Sequence, residues 1–141
     1  MIAKNANPQT AILDSCRRLV SFIHSASRAC EKDLGLSTAQ LFVLKKLADA
    51  SPLSLNELAQ RTQTHQSSVS VVVKKLIAKK LVLCRKAQSD ARRLEITVSA
   101  KGRKILAVSP EPIQDRLIAA IHSLSQDEAC QLERLLQRLL D

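Results

Sequence analysis

The 141-residue sequence predicts a mainly α-helical protein with one short β-hairpin, and three features carry this prediction. Leu, Ala, Lys, Arg and Gln, which favour helices, dominate the composition. Hydrophobic residues recur at helical spacing along most of the chain, whereas residues 94–98 alternate between hydrophobic and polar. Ser37, Ser54 and Ser125 are each followed three positions later by Gln or Glu, the capping-box signature of a helix start. With 45% hydrophobic and 25% charged residues, the chain suits one globular domain.

The composition also indicates a cellular compartment. No apolar run reaches the roughly 18 residues that a membrane span needs, and residues 1–10 lack the apolar core of a signal peptide. We therefore expect a cytoplasmic protein without membrane contact. The four cysteines, at positions 16, 30, 84 and 130, form no C-x-x-C pair. This spacing indicates no zinc or thioredoxin-like site, and we expect the cysteines to be small apolar core residues.

The sequence argues against an enzyme. It contains no nucleophile–base pair, no phosphate-binding glycine loop and no metal-ligand spacing. The three histidines, His24, His65 and His122, fall in separate predicted elements without a carboxylate at helical spacing. We therefore expect no catalytic residue, no cofactor and no bound metal.

The positive charge is concentrated in one segment. The chain has a net charge of +9, and residues 64–104 hold eleven Lys and Arg against two acidic residues, which accounts for the whole excess. The other residues hold eleven basic and eleven acidic side chains. A segregated basic segment is typical of a protein that binds a polyanion, most often nucleic acid.

The first two helices have clear boundaries in the sequence. Hydrophobic spacing predicts a first helix over residues 9–34, followed by Gly35 in the positive-φ conformation that ends many helices. Ser37 and Gln40 form a capping box that starts a second helix, and Leu36 and Leu41 suit a hydrophobic staple around it.

The next two helices predict a helix-turn-helix. Ser54 and Glu57 form a second capping box, and residues 62–64 are poor helix formers that predict a turn. A fourth helix starts near Thr64 or His65. Its predicted inner face consists of Val69, Val72, Val73, Leu76 and Ile77. Its predicted outer face consists of Gln66, Ser67, Ser70, Val71 and Lys74. Two short helices joined by a tight turn, the second with small polar outer residues, are typical of DNA-binding domains.

A hairpin with a basic loop follows directly. Residues 81–85 predict one strand and residues 94–98 a second, half-buried strand. Residues 86–93 between them are polar, and we expect no core residue there. A hairpin in this position predicts a winged helix-turn-helix. Ser99 then caps a fifth helix to about Val108, prolines interrupt the chain at 109–112, a sixth helix begins near Ile113, and Ser125 with Glu128 opens a last helix.

In these motifs the sequence resembles the MarR family of winged helix-turn-helix regulators. The matching segments are residues 36–44 at the second helix, 54–59 at the third, 67–70 at the start of the fourth, 90–92 in the wing and 98–103 after it. The resemblance implies a single MarR-like domain over residues 1–141. Residues 36–104 would form the DNA-binding lobe, and residues 9–34 and 105–141 a helical dimerisation layer. The sequence departs from the family at Lys80, where Gly is usual, and at Cys84, where Arg is usual.

Physical requirements and the resemblance together nominate a DNA-binding site. The candidate residues are Gln66, Ser67, Ser68, Ser70, Lys74, Lys75, Arg92 and Arg93. Short polar side chains let the fourth helix approach base edges, lysines attract phosphates, and Arg92 matches the family's wing arginine, which enters the minor groove. Lys86 and Arg103 are further phosphate candidates. Asp90 is expected to hold the wing together, with Arg92 or Arg93 as its partner.

The resemblance further implies a homodimeric repressor that a small anionic or lipophilic effector releases from a palindromic operator. His24 and Arg28, one turn apart on the first helix, are candidates for contacting such an effector. An alternative is a thiol-based repressor that uses Cys16, because Arg17 and Arg18 beside it favour a reactive thiolate. A second alternative is a winged-helix module for protein contacts, but such a module does not need nine net positive charges in one segment.

Overall fold

The computed structural model describes residues 7–141. These residues form seven helices and one two-stranded antiparallel sheet. The elements are α1 (Pro8–Leu34), α2 (Thr38–Ala50), α3 (Leu55–Thr62), α4 (Gln66–Ala78), β1 (Val82–Lys86), β2 (Leu94–Val98), α5 (Ala100–Val108), α6 (Ile113–His122) and α7 (Gln126–Leu140). The predicted fold class, mainly α with a small β-hairpin wing, is confirmed.

Local sequence signals determine where the helices begin. Asn7 caps α1 by accepting the Gln9 N–H at 3.1 Å, and Pro8 occupies the first helical position. All three predicted capping boxes form, at the starts of α2, α3 and α7. Gly35 ends α1 with φ 65°, where its N–H donates to the Glu31 carbonyl at 3.0 Å. Leu36 then turns back into the core and is 1% exposed.

The core lies among α2, α3, α4 and the hairpin. Its fully buried leucines are Leu36, Leu44, Leu47, Leu58, Leu76 and Leu81. The prediction that all four cysteines are core residues is wrong for three of them. Cys16, Cys84 and Cys130 are exposed, and Cys30 is the buried one. Ile77, predicted on the inner face of α4, is 39% exposed. It lies in the last turn of α4, where Val73 and Leu76 are the buried hydrophobic residues.

The hairpin is attached to the helical core through its second strand. Val82 pairs with Val98 and Cys84 with Ile96, and Ile96 also exchanges backbone hydrogen bonds with Leu53 at 2.8 and 3.1 Å. Leu94 at the outer end of β2 is 54% exposed, so only Ile96 and Val98 of the predicted alternating set are buried.

The wing loop does contain a core residue, contrary to the prediction. Ala87 is 4% exposed, and its N–H donates to the Arg93 carbonyl at 2.8 Å. Because a methyl group has no polar atom, its burial at the loop end of the hairpin leaves no side-chain hydrogen-bonding group unsatisfied. The polar residues around Ala87 hid this position in the sequence. The projecting tip is therefore residues 88–92.

The chain divides into two compact units, one up to Ser109 and one from Pro110 to Asp141. The first contains α1 to α5 and the hairpin; the second contains α6 and α7. In the second unit, α7 presents exposed leucines at positions 132, 135, 136, 139 and 140. The single MarR-like domain inferred for residues 1–141 stays a prediction.

Lys80 adopts the left-handed conformation that the family usually assigns to glycine. Its φ is 60°, and its carbonyl accepts the Ser99 hydroxyl at 2.7 Å, so the turn between α4 and β1 is fixed. A side chain in this region costs roughly 1 kcal/mol. Lys80→Gly should therefore raise the free energy of unfolding by up to about 1 kcal/mol, less the greater chain entropy of glycine.

Urea unfolding of purified protein measures this difference. Lys104→Gly is the matched control, since the same change inside α5 should lower stability by about 1 kcal/mol. A Lys80→Gly protein that is destabilised as much as Lys104→Gly would contradict the assignment of strain to Lys80.

Candidate nucleic-acid interface

The helix-turn-helix is formed by α3, a left-handed turn and α4. Gln63 has φ 52°, and the Thr64 N–H donates to the Ala59 carbonyl at 3.1 Å, which closes the turn. Val69 and Val73 are at most 5% exposed and anchor one side of α4 in the core. Because this side is buried, the opposite side of α4 faces outward.

The outward side of α4 carries the residues nominated from sequence. Gln66, Ser67, Ser68, Lys74 and Lys75 are exposed, and Ser70 is half-buried. His65, the N-cap residue, makes no side-chain capping hydrogen bond, so within the described chain no side chain caps the start of α4. Free N–H groups and the positive end of the helix dipole favour an anion at this place.

The wing tip is organised around Asp90. Its Oδ1 accepts the Arg92 backbone N–H at 2.9 Å, and its carbonyl accepts the Arg93 N–H at 3.0 Å. Asp90 thus contacts both predicted arginine partners, through their backbone amides rather than through their guanidinium groups. This turn leaves the Arg92 side chain exposed at the tip.

Arg93 connects the wing to α3. Its Nη2 lies 2.7 Å from Oε1 of Glu57, and both side chains are about half exposed. The other carboxylate oxygen of Glu57 accepts the Ser54 N–H at 2.7 Å in the capping box. The sequence contained no sign of this ion pair, because its partners are 36 residues apart and only the fold brings them together.

The same hydrogen bonds perturb Glu57. The Ser54 N–H, and after it the Arg93 guanidinium, lower the pKa of the Glu57 carboxyl below its ordinary value of 4.5. Since the folded pKa lies below the unfolded one, the ionised carboxylate stabilises the folded state above about pH 4.5. This stabilisation is lost as the pH falls through the folded pKa.

We expect the free energy of unfolding to fall less steeply in Glu57→Gln than in wild type when the pH is lowered from about 7 to 3. Arg93→Ala removes only the guanidinium, the smaller of the two causes of the lowered Glu57 pKa. Its free energy of unfolding should therefore depend on pH with a slope between those of wild type and Glu57→Gln. Urea titrations at several pH values measure all three proteins. Parallel curves for wild type and Glu57→Gln would show that the carboxylate contributes nothing to acid stability.

The candidate effector and redox residues lie on α1. His24 and Arg28 are exposed, as is Cys16. An open groove of about 620 Å³ on the same helix is lined by Ser15, Arg18, Leu19, Ser21, Phe22 and Ser25, a set that lacks His24 and Arg28. Arg17, expected to activate Cys16, lies 3.1 Å from the Asp14 carboxylate, which neutralises part of its charge. Burial raises the pKa of the Cys30 thiol, which opposes reactivity there.

A second surface groove, which the sequence did not indicate, lies on the helix-turn-helix. It measures about 500 Å³ and is lined by Asn56, Ala59, Gln60, Gln63, Thr64 and His65. Four of its six lining residues carry an amide or hydroxyl group, and His65 places it beside the start of α4. Three of the lining residues lie on α3 and three in the turn that follows it, so local chain geometry brings them together.

A helix-turn-helix, a following hairpin and a basic outer face define this chain as a winged helix-turn-helix protein. Residues 34–93 match the model of the MarR family. This segment runs from the end of α1 to the wing, and its match to the family model confirms the resemblance that the motifs predicted. The family and the structural neighbours consist of regulators rather than enzymes, which agrees with the sequence.

Solved structures share this fold over nearly the whole chain. BldR from Sulfolobus solfataricus, a transcriptional regulator, is 23% identical, with 94% of each chain covered and a TM-score of 0.60. S. aureus MepR, in a complex with DNA, is 21% identical, with 91% of this chain and 95% of MepR covered and a TM-score of 0.61. Bordetella bronchiseptica BpsR, whose DNA binding is regulated by 6-hydroxynicotinic acid, is 22% identical, with 97% and 98% covered and a TM-score of 0.63.

The comparison with curated proteins found no match. None of the helices in the described part of the chain is long and apolar enough to cross a membrane.

Proposed function

We propose that this protein is a homodimeric repressor that binds a palindromic double-stranded operator and is released by a small effector. The observation that carries the proposal is that the whole positive excess of the chain lies in α4, the wing and the start of α5. Winged helices bind DNA through this combination, and the structure of S. aureus MepR with DNA supports it. The proposal includes a cytoplasmic location, because the protein would have to reach an operator on the chromosome.

In this proposal α4 lies in the major groove. Gln66, Ser67 and Ser70 would contact base edges, since each carries a hydrogen-bonding group. The two serines are short enough to allow a close approach, and the longer Gln66 reaches further into the groove. Val71, 54% exposed on the same helix, would touch a thymine methyl group. The uncapped N–H groups near Ser67 and Ser68 would bind a backbone phosphate.

Cations around α4 supply affinity without sequence preference. The candidates are Lys74, Lys75, Lys86 and Arg103, all of which are exposed. Each phosphate that they neutralise releases counterions and steepens the salt dependence of binding. Arg93 would have a different role, because its ion pair with Glu57 links the loop end of the wing, next to Arg92, to α3.

The dimer proposal is supported by apolar surface on the helices that the family resemblance assigned to dimerisation. On α1, Ile12, Leu13, Leu19, Val20 and Ile23 are 36–53% exposed. On α7, the five leucines named above are 41–85% exposed. Exposed apolar surface of this extent marks a contact with another molecule. A second copy would also supply the second recognition helix, about 34 Å from the first, that a palindrome requires.

The proposed effector is a small anionic or lipophilic molecule. BpsR supports regulation by a small molecule, and His24 with Arg28 offers cationic and polar groups for an anionic one. Both side chains are exposed on α1, close to the apolar residues of the proposed dimer surface. The exposed Cys16 keeps the thiol-based alternative testable by peroxide treatment of a Cys16→Ser variant.

The test is selection of bound fragments from genomic DNA by the purified protein at stated salt. We expect recovery of a short inverted repeat whose half-sites are about one helical turn apart. A recovered site without two-fold symmetry contradicts the dimeric mode. Recovery of random fragments at physiological salt contradicts sequence-specific recognition altogether, and favours the protein-interaction alternative.

Lys74→Ala tests the role of the lysines on the recovered site. We expect binding several-fold weaker, and a plot of log affinity against log salt whose slope is shallower by about 0.9, because one phosphate contact is lost. Fluorescence anisotropy at several salt concentrations measures both quantities. An unchanged slope would mean that Lys74 touches no phosphate.

A further inference from the structure

One ammonium group joins the ends of three helices. Lys79 follows the last residue of α4, and its Nζ donates to the Gly35 carbonyl at 2.7 Å and to Oε1 of Gln40 at 2.9 Å. Gly35 terminates α1, and Gln40 closes the capping box of α2. The contact therefore links the end of the proposed recognition helix to the end of α1 and the start of α2.

The acceptors suit a cation. The Gly35 carbonyl lies at the negative end of the α1 dipole, where a lysine is favourable. Gln40 is 6% exposed, and the same Oε1 accepts the Ser37 N–H at 3.2 Å, so its position is fixed independently of Lys79. The side chain of Lys79 is thus held between two fixed oxygen atoms of the protein.

The backbone at the same place is tied to α5. The Lys79 carbonyl accepts Nζ of Lys101 at 3.2 Å, and the neighbouring Lys80 carbonyl accepts the Ser99 hydroxyl at 2.7 Å. The C-terminal end of α4 is therefore held from two sides, by α1 and α2 through the Lys79 side chain and by α5 through the backbone.

We propose that Lys79 is a positioning residue: its ammonium group fixes the direction of α4 relative to α1, and so the presentation of the recognition helix to DNA. The inference rests on the proposed function, in which α1 belongs to the dimer layer and α4 to the DNA-binding lobe. Unlike Lys74, Lys75 and Lys86, the proposed phosphate contacts, Lys79 acts through protein oxygens. A small rotation of α4 would change the separation of the two recognition helices in the dimer. Because the half-sites of a palindrome have a fixed spacing, such a change would lower the affinity for the operator.

The variant Lys79→Met tests this role, because it keeps the aliphatic stem and removes the donor. We expect operator affinity to fall roughly two- to thirty-fold, the range typical of residues that couple two sites without touching the ligand. The salt slope should stay that of wild type, whereas loss of a phosphate contact would make it shallower by about 0.9. Arg138→Met, which removes one positive charge at an exposed position of α7 outside the basic segment, is the control for non-specific charge effects.

Hydrogen exchange without DNA gives a readout that does not depend on the operator. In Lys79→Met the amides of residues 35–41 should exchange faster, since the junction of α1 and α2 loses its cation. Lys79→Arg, which can donate to both oxygens, should restore slow exchange and most of the affinity. If Lys79→Met does not fold, Lys79→Gln is measured in its place.

The outcomes separate the two claims. A shallower salt slope, unchanged affinity, or unchanged exchange at residues 35–41 in Lys79→Met each overturns the positioning role. A wild-type protein that selects no DNA overturns the proposed function, and the exchange measurement then still decides whether Lys79 ties α4 to α1.

Discussion

Arg92→Ala is expected to weaken operator binding by about 1–3 kcal/mol, roughly 5- to 150-fold. Asp90 shapes the wing tip by accepting the Arg92 backbone N–H at 2.9 Å, so the turn survives when the Arg92 side chain is removed. The guanidinium is exposed at the tip, where it would enter the minor groove and benefit from the negative potential there. The loss should therefore reflect DNA contact and not unfolding of the wing.

Anisotropy titrations against the selected operator measure this effect. Arg138→Ala changes the net charge equally on α7, outside the basic segment, and is the control for general electrostatic attraction. Arg92→Lys retains the charge but not the planar fork and should recover only part of the affinity. If Arg92→Ala binds the operator as wild type does, the wing is not part of the DNA interface.

Gly102→Ala is expected to lower the free energy of unfolding by about 3 kcal/mol, the upper range for forcing an atom into a packed core. A Cβ at Gly102 would overlap the Leu81 carbonyl oxygen and lie 2.7 Å from Cγ1 of Val98. Both neighbours are fixed: the Leu81 carbonyl accepts the Ser99 N–H at 3.0 Å, and Val98 belongs to β2. Relief therefore requires α5 to move away from the base of the wing.

Gly35→Ala is the matched control for this prediction, because the same substitution is opposed there by the backbone conformation and not by a steric clash. Nothing lies within 4 Å of a Cβ at Gly35, and only its φ of 65° opposes alanine, which costs roughly 1–2 kcal/mol. Urea unfolding of the two variants should rank Gly102→Ala clearly below Gly35→Ala. Equal losses would mean that α5 adjusts easily. Gly102, which lies in the family-like segment after the wing, is thus required in this chain because no side chain fits between α5, Leu81 and Val98.

The outline of the fold was predictable because its signals are local. A capping box depends on residues three positions apart, and Gly35 on its own φ angle. The starts of α2, α3 and α7 and the end of α1 could therefore be predicted without tertiary structure. The hairpin was predictable for the same reason, from alternation within β2. Predictions failed where burial depends on distant elements: Ala87, Ile77 and Leu94 were misassigned because neighbours from elsewhere in the chain decide which side is covered.

The candidate site shows the same division. The exposed polar face of α4 follows from helical periodicity once Val69 and Val73 are buried. The ion pair between Arg93 and Glu57 does not, since 36 residues separate its partners. Arg93 was nominated for DNA contact on sequence grounds, and the structure gives its guanidinium a carboxylate partner on α3.

The sequence by itself determined the helices, the hairpin, the family motifs and the segment that holds all the excess positive charge. These depend on propensity, on patterns of a few residues and on charge, which tertiary contacts do not alter. Only the tertiary structure decided which charges remain available. Although all four are exposed, Arg93 pairs with Glu57, and Lys79 donates to Gly35 and Gln40. Among the described residues, the side chains of Arg92 and Lys74 have no such partner. A side chain's partner is set by distances across the fold, and these do not follow from the order of residues along the chain.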